Sequence, residues 1–304
     1  MAKKFEVTIL GVNSAQPIHG RHPSCQIVNY SDHLIMIDCG ESAQIQASKY
    51  SIRKGRINHI FISHLHGDHC FGLPGWLTSY ALQGRKSILH LHGPIGIKRF
   101  LEVIFDVTDS YLPYELIILE YNTENPSTVV IDSSISVKTF PMKHRIPTMG
   151  FKVIETIPEF NLKIEAIKEF DLTIEEIRGA KKGKSIVRDN IEISNSKLTF
   201  PKSEGRSYVY CSDTVFDISL VPYIKNSSLL YHETTYLDDL ESLAKDRMHS
   251  TLGQAIEISK AANINRLIVG HYSSRYRNAD IFLSEGLPKF KGLMLGEEGR
   301  VYEV

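Results

Sequence analysis

Short apolar runs, bounded by Gly, Asn, Asp or Ser, recur along the chain and set its rhythm. "KFEVTILG", "CQIVNY" and "HLIMIDCG" are β-rich and too short for helices, so each reads as a strand. "INHIFIS" is another, and its near-continuous apolar character suits burial on both faces. "SILHLHG", "ELIILEY", "STVVI", "SISVKTFPM" and "TMGFKVIE" continue the series. Helical spacing appears between them, in "ESAQIQASKY" and "IGIKRFLEVIFDV", and "GLPGWLTSYALQG" predicts a helix-bearing excursion. Late in the chain the alternation returns as "SYVYCSD", "SLLYHET", a helix over "STLGQAIEISKAANI", and "RLIVGHYS". Strands in mixed runs with helices between them predict sheets faced by helices, an α/β sandwich. No repeat of fixed period and no low-complexity segment interrupts it.

Residues 158–203 break the rhythm. They are charge-rich and hold the basic cluster Arg178, Lys181, Lys182, Lys184 and Arg188, with no acid between Arg178 and Arg188. Two readings stand side by side: a solvated surface excursion, or an arm inserted into one domain that otherwise spans residues 1–304.

Composition narrows the class. Lys plus Arg number 35 and Asp plus Glu 35, so the molecule is no blanket polyanion binder and nucleic-acid contact must come from local patches. The start "MAKKFEVTILG" enters a strand directly, and no apolar stretch reaches the ~18 residues of a membrane span. Cys25, Cys39, Cys70 and Cys211 show neither CxxC spacing nor disulfide density. The expectation is a cytoplasmic protein with reduced thiols. Cys70 and Cys211 flank candidate metal residues, but read better as small buried hydrophobes.

The candidate chemistry begins at "SHLHGDH". His64 and His66 are two apart and can face one metal ion. Gly67 permits a sharp turn, after which Asp68 and His69 can face a second ion. Two ions about 3.5–4 Å apart would polarise a phosphoryl or carbonyl group and activate water. Zinc suits this imidazole-carboxylate set, with manganese or iron as alternatives. Such a site needs ligands from other strand ends. His144, Asp213 and His271 each follow a β-rich run, and Asp213 can bridge because a carboxylate has two oxygens. Glu233 and His249 suggest a carboxylate-oriented general acid. Alternatively His249 only packs near a helix start, where Ser250 is a good N-cap.

Taken together, "SHLHGDH", "DCGE", "HRIPTMGF", "CSDT", "HETTY", "HST" and "GHYSSRY" resemble the ribonuclease Z family of the metallo-β-lactamase superfamily, the tRNA 3′-processing endonucleases. The likeness runs from about residue 5 to the end. It implies an αββα sandwich of two mixed sheets flanked by helices. It implies that His64, His66 and His144 hold one zinc ion, and Asp68, His69 and His271 a second, with Asp213 bridging. Asp68 would accept the proton of the attacking water, and Glu233 with His249 would protonate the leaving oxygen. Arg275 would touch substrate phosphate. The resemblance also implies precursor tRNA as substrate, a homodimer, and an arm that clasps tRNA. Two stretches depart from the family pattern. "LGVNSAQPI" stands where the family reads close to "LGTGSGxPT", and "FDLTIEEIRGAKKGKSI" lacks the family arm's Gly-Pro-rich loop. The arm's basic tip, Arg178 with Lys181, Lys182 and Lys184, could still meet RNA phosphates. Rival readings are another phosphodiesterase of the same fold acting on small diesters or other RNAs, a thioester or lactam hydrolase, and an RNA-binding scaffold with a degenerate site.

Overall fold

A computed structural model describes residues 3–156, 160–188, 191–200 and 205–304. In chain order its strands are β1 (Phe5–Gly11), β2 (Cys25–Tyr30), β3 (His33–Ile37), β4 (Ile57–Phe61), β5 (Leu89–Pro94) and β6 (Leu116–Tyr121). Next come β7 (Thr128–Val130), β8 (Ile135–Met142), β9 (Thr148–Glu155), β10 (Ile186–Arg188) and β11 (Ile191–Ile193). The last are β12 (Ser207–Cys211), β13 (Leu229–Glu233), β14 (Leu267–Gly270), β15 (Leu293–Leu295) and β16 (Val301–Glu303). One sheet has the order β16-β1-β2-β3-β4-β5-β6. It is antiparallel from β16 to β3 and parallel from β3 to β6. The other has the order β15-β14-β13-β12-β9-β8-β7, with β12 to β15 parallel. The expected pair of mixed, helix-flanked sheets is present.

The central parallel strands β12, β13 and β14 are buried along their whole length, as their sequences SYVYC, LLYHE and LIVG require. On the outer face of the first sheet, Met36, Ile60 and Leu91 pack with Trp76 and Leu77 of helix Leu73–Leu82 and Leu101 of helix Ile97–Val107. The inner faces meet through aromatic side chains. Phe61 stands edge-on to Phe151 at 5.4 Å, and the Tyr208 hydroxyl donates to Gln26 Oε1. Such contacts fix the spacing of the sheets, and with it the gap in which strand-end side chains can meet.

Two compact units are distinguished. The larger comprises Met1–Thr128, Lys138–Lys152 and Ser207–Val304; the smaller comprises Val129–Val137 and Val153–Arg206. The smaller unit has its own core of Ala166, Leu172, Ala180, Ile186 and Leu198. Its helix Ile174–Lys181 starts with a capping box between Thr173 and Glu176, and β10 pairs with β11 as a hairpin. Arg188 is committed to this framework. It clamps Glu176 through Nε and Nη2 at 2.8 and 2.5 Å and donates to the carbonyls of Phe170 and Asp171. The ends of the expected arm, residues 158 and 203, lie outside the described residues.

Two local expectations need correction. The helix after His249 is Leu252–Ala261, and its N-cap is Thr251, whose hydroxyl accepts from the Gln254 N–H while Gln254 reaches back. Ser250 instead donates its hydroxyl to the Thr214 carbonyl. The sharp turn expected at Gly67 is the one-turn helix Gly67–Cys70, and the nearest neighbour a Cβ there would meet is the exposed Phe71 ring, which can shift aside.

Candidate metal centre

Six chain segments converge at one rim of the larger unit. His64 and His66 follow β4, and Asp68 and His69 sit on the one-turn helix beyond. His144 follows β8, Asp213 follows β12, Glu233 ends β13 and His271 follows β14. His249 lies between helix Glu241–Arg247 and helix Leu252–Ala261. The carboxyl ends of parallel strands deliver most of them, where α/β sheets commonly place their sites.

Two four-residue clusters result, His64–His66–His144–Asp213 and Asp68–His69–Asp213–His271. In the first, His64 Nε2 and His144 Nε2 lie 3.1 and 3.2 Å from His66 Nδ1, and each lies 3.7 Å from Asp213 Oδ2. In the second, His69 Nε2 and His271 Nε2 are 3.3 Å apart, and they lie 3.3 and 3.2 Å from Asp213 Oδ1. Asp68 Oδ2 is 3.6 Å from His69 Nε2 and 3.4 Å from His271 Nε2. Bonds of about 2.0–2.2 Å around a tetrahedral zinc ion imply ligand-to-ligand edges of about 3.3–3.6 Å. The observed separations lie within about 0.2 Å of those edges. Asp213 Oδ1 is buried and makes no aligned hydrogen bond despite its two ring-nitrogen neighbours, so these atoms aim at a shared point rather than at one another. The donor set therefore fits two adjacent metal ions, with one Asp213 oxygen facing each.

The outer nitrogens of the rings are held by other partners. Ser63 Oγ donates to Asp38 Oδ2 at 2.9 Å and accepts from His64 Nδ1 at 3.0 Å. His69 Nδ1 donates to Asp38 Oδ2 at 2.7 Å. His144 Nδ1 donates to the Met248 carbonyl at 2.9 Å. His271 Nδ1 donates to Thr235 Oγ1 at 3.0 Å. Each contact leaves the lone pair of Nε2 facing the centre.

Charge follows from the same packing. Burial, with His69 beside it, holds the His64 imidazole well below its ordinary range, and burial lowers His66 and His144 too. Neutral rings are what metal binding needs. His69 differs: burial would lower it, but Asp213, Asp68 and Asp38 push it well up. Burial would raise Asp213, yet His271, His69 and His64 hold it well below the carboxylate range. Asp68 is depressed in the same way, chiefly by His69 acting against burial.

Glu233, His249 and His271 also lie together. Glu233 is saturated, however. Its Oε1 accepts from His249 Nδ1, Ser250 N and Thr214 N at 3.0, 2.9 and 3.2 Å. Its Oε2 accepts from Thr235 N and Thr235 Oγ1 at 2.9 and 2.8 Å. Five donors leave it no free lone pair for an ion. What it does is orient His249 and hold it charged: burial would lower this imidazole, but Glu233 raises it to about 9. Glu233 and His249 therefore form a hydrogen-bonded carboxylate–imidazole pair beside the two clusters.

The sequence reading left Asp38 without a role. It is fully buried and accepts from Ser63 N, Ser63 Oγ, Tyr210 Oη and His69 Nδ1 at 2.7, 2.9, 2.7 and 2.7 Å. The signal was available in "HLIMIDCG", where an apolar strand runs straight into a carboxylate. Thr235 was likewise missed. Asp38, His271, Met248 and Ala15 all adopt left-handed φ, at 57, 60, 59 and 64°. Such strain gathers at functional sites. Ala15 departs from the family's glycine there, and its N–H donates to Asp68 Oδ2 at 2.7 Å.

Cys70 and Cys211 are buried thiols and belong to neither cluster. Burial pushes Cys70 up to about 12. The centre opens into a cleft of about 700 Å³ whose walls include Arg145, Tyr236, Arg247, His249 and Arg275. Arg178, Lys181, Lys182 and Lys184 lie in the smaller unit, on helix Ile174–Lys181 and the turn after it. Arg178, Lys182 and Lys184 are exposed there, and Lys181 is half-buried.

The chain is 40% identical over 299 residues to ribonuclease Z of Parabacteroides distasonis, covering 97% of both chains. It superposes on human tRNase Z, short form, with a TM-score of 0.72 at 26% identity, covering 98% of each chain. The metallo-β-lactamase fold protein YhfI of Bacillus subtilis matches with a TM-score of 0.71 at 16% identity, covering 99% of this chain and all of that one, a likeness of fold alone. A sequence profile described as anti-Pycsar protein Apyc1 matches residues 5–96.

Proposed function

Because the chain belongs to the ribonuclease Z family, we infer that it is a metal-dependent endoribonuclease that removes the 3′ trailer of precursor tRNA by hydrolysing one phosphodiester. The observation that carries this reading is the convergence of seven side chains on two adjacent points beside a charged His249. His64, His66 and His144 would hold one ion and Asp68, His69 and His271 another, with Asp213 contributing to both; zinc suits the donor set. When bound, the ions supply Lewis acidity for the phosphoryl group and activate water near neutral pH.

The remaining work belongs to the chain. Asp68 stays ionised and would take the proton of the attacking water. Its Oδ2 is steadied by the Ala15 N–H. His249 carries the proton that the leaving 3′ oxygen needs, and Glu233 keeps it charged and oriented. Thr235 ties this dyad to His271, since its hydroxyl donates to Glu233 and accepts from the ring. Products are a tRNA ending in a 3′-hydroxyl and a trailer with a 5′-phosphate. Residues 158–203 serve as the tRNA-gripping arm, supported by their own small core and by the exposed cations of "RGAKKGK". The enzyme acts as a homodimer in the cytoplasm, a reading that rests on the family resemblance.

The test is incubation with a 3′-extended precursor tRNA and mapping of the cut. Cleavage just past the discriminator base is expected. Cutting of bis-p-nitrophenyl phosphate without any cutting of the precursor would overturn the substrate assignment and revive a small-diester enzyme.

A further inference from the structure

The cleft wall contains charge beyond the catalytic groups, and of it only Arg275 has an expected role, a contact to substrate phosphate. Arg145, Arg247 and Arg275 line it, and all three are exposed. Among the described residues, no carboxylate lies within 4.0 Å of any of their guanidinium nitrogens. Their only local anchor of note is Arg145 Nη2, which donates to the Asp246 carbonyl at 3.3 Å and so leans toward the segment bearing Arg247. Each sits beside a residue of the centre: Arg145 follows His144, Arg247 precedes His249 by two, and Arg275 follows His271 by four.

Tyr236 lines the same cleft as these three. Its ring is nearly buried and stands edge-on to His249 with centroids 6.3 Å apart. Burial raises its phenol, with Arg275, Arg247 and Arg145 acting against that rise and Glu233 adding to it. A tyrosine hydroxyl and guanidinium groups on one cleft wall are a donor set for a phosphate oxygen. The cleft, at about 700 Å³, has room for more than the reacting phosphate.

The side on which this set lies follows from His249. In the reaction inferred above, on which this step rests, His249 faces the leaving 3′ oxygen. Groups packed around His249 therefore meet the nucleotide that retains that oxygen, and the nearest further phosphate is the one on its 5′ side. We propose that Arg145, Arg247 and Arg275, with the Tyr236 hydroxyl, form a subsite for the phosphodiester immediately 5′ of the nucleotide whose 3′ oxygen leaves.

Competition against bis-p-nitrophenyl phosphate hydrolysis by the metal-loaded enzyme tests this. Two inhibitors are compared: a dinucleotide and the same dinucleotide with a 5′-terminal phosphate. The 5′-phosphorylated form should inhibit at least about tenfold better than the plain one. In Arg145→Gln/Arg247→Gln the tenfold ratio should fall close to one. Tyr236→Phe should lower it by a few-fold. The ratio's salt dependence should flatten by about 0.7 in log–log slope in the double variant, the value for one single-stranded phosphate contact. Equal inhibition by both in the wild-type enzyme, or a ratio that survives in the double variant, would each overturn the subsite. A wild-type enzyme that leaves precursor tRNA uncut would sink the functional reading alone, because these ratios are measured without tRNA.

Discussion

Replacing Asp38 by Asn should strip metal from the second cluster while leaving the backbone in place. Asn tolerates left-handed φ as Asp does, so the 57° at this position is no obstacle. The side chains are also of equal size. What changes is the acceptor count. Asp38 receives four hydrogen bonds in a fully buried pocket, and its Oδ2 alone serves Ser63 Oγ, His69 Nδ1 and Tyr210 Oη. An amide NH₂ in the place of Oδ2 can donate but not accept. His69 would then be driven to the tautomer with its proton on Nε2, the nitrogen that faces Asp213 and His271. Losing a charged hydrogen bond costs about 1.5–3 kcal/mol. Removing an outer partner of a metal-bound imidazole typically weakens metal binding by about 10–100-fold. Zinc competition against a chelator of known affinity reads the effect directly. One of the two ions should dissociate about 10–100-fold more readily. Wild-type affinity at both positions, in a variant with unchanged circular dichroism, would refute the reasoning that Asp38 sets the His69 tautomer.

Other perturbations probe the remaining links. His249→Ala should lower kcat for precursor tRNA by about 10²–10⁴-fold while both metal ions stay bound; loss of metal would make His249 a ligand. His249 is raised to about 9, so its acid form is present through neutral pH and is lost as pH climbs past that value. Glu233→Gln removes the charge responsible, and the alkaline limb of the kcat profile should move down by about one unit or more. Ala15→Gly relieves a left-handed strain of about 1–2 kcal/mol against a glycine entropy cost of about 0.5–1 kcal/mol. Chemical denaturation should therefore show a gain of about 0.5–1 kcal/mol, and a loss would mean the Ala15 methyl packs usefully. Lys181→Gln/Lys182→Gln/Lys184→Gln should raise KM for precursor tRNA and flatten its salt dependence, with little change on bis-p-nitrophenyl phosphate; equal loss on both would point away from an RNA grip.

The seven candidate ligands were legible because each stands at the end of a β-rich run, where hydrophobic pattern and ligand chemistry fall in one short window. "RLIVGH" and "SYVYCSD" announce both the strand and the residue it delivers. The acid dyad was half legible. Nothing in "LLYHET" or "DRMHST" says that Glu233 collects five donors or that His249 is one of them, because those partners come from Thr214, Ser250 and Thr235 through folding. Asp38 was quoted but given no task, since its value lies wholly in buried contacts to residues 25 and more positions away. β15 and β16 passed unnoticed because three residues carry no period; pairing with β14 and β1 makes them strands. The cap at Thr251 lost to Ser250 in the sequence because both are good caps, and only the reach of Gln254 separates them.

Asp213 belongs to one sheet, whereas His64, His66 and His69 follow a strand of the other. Neither half of the sandwich can assemble the centre by itself. A nascent chain must synthesise past His271 before the last donor exists, so full metal loading waits until nearly the whole polypeptide has been made. Metal seated there would act as a rivet between the two sheets, and chelation should loosen the sandwich as well as silence the enzyme.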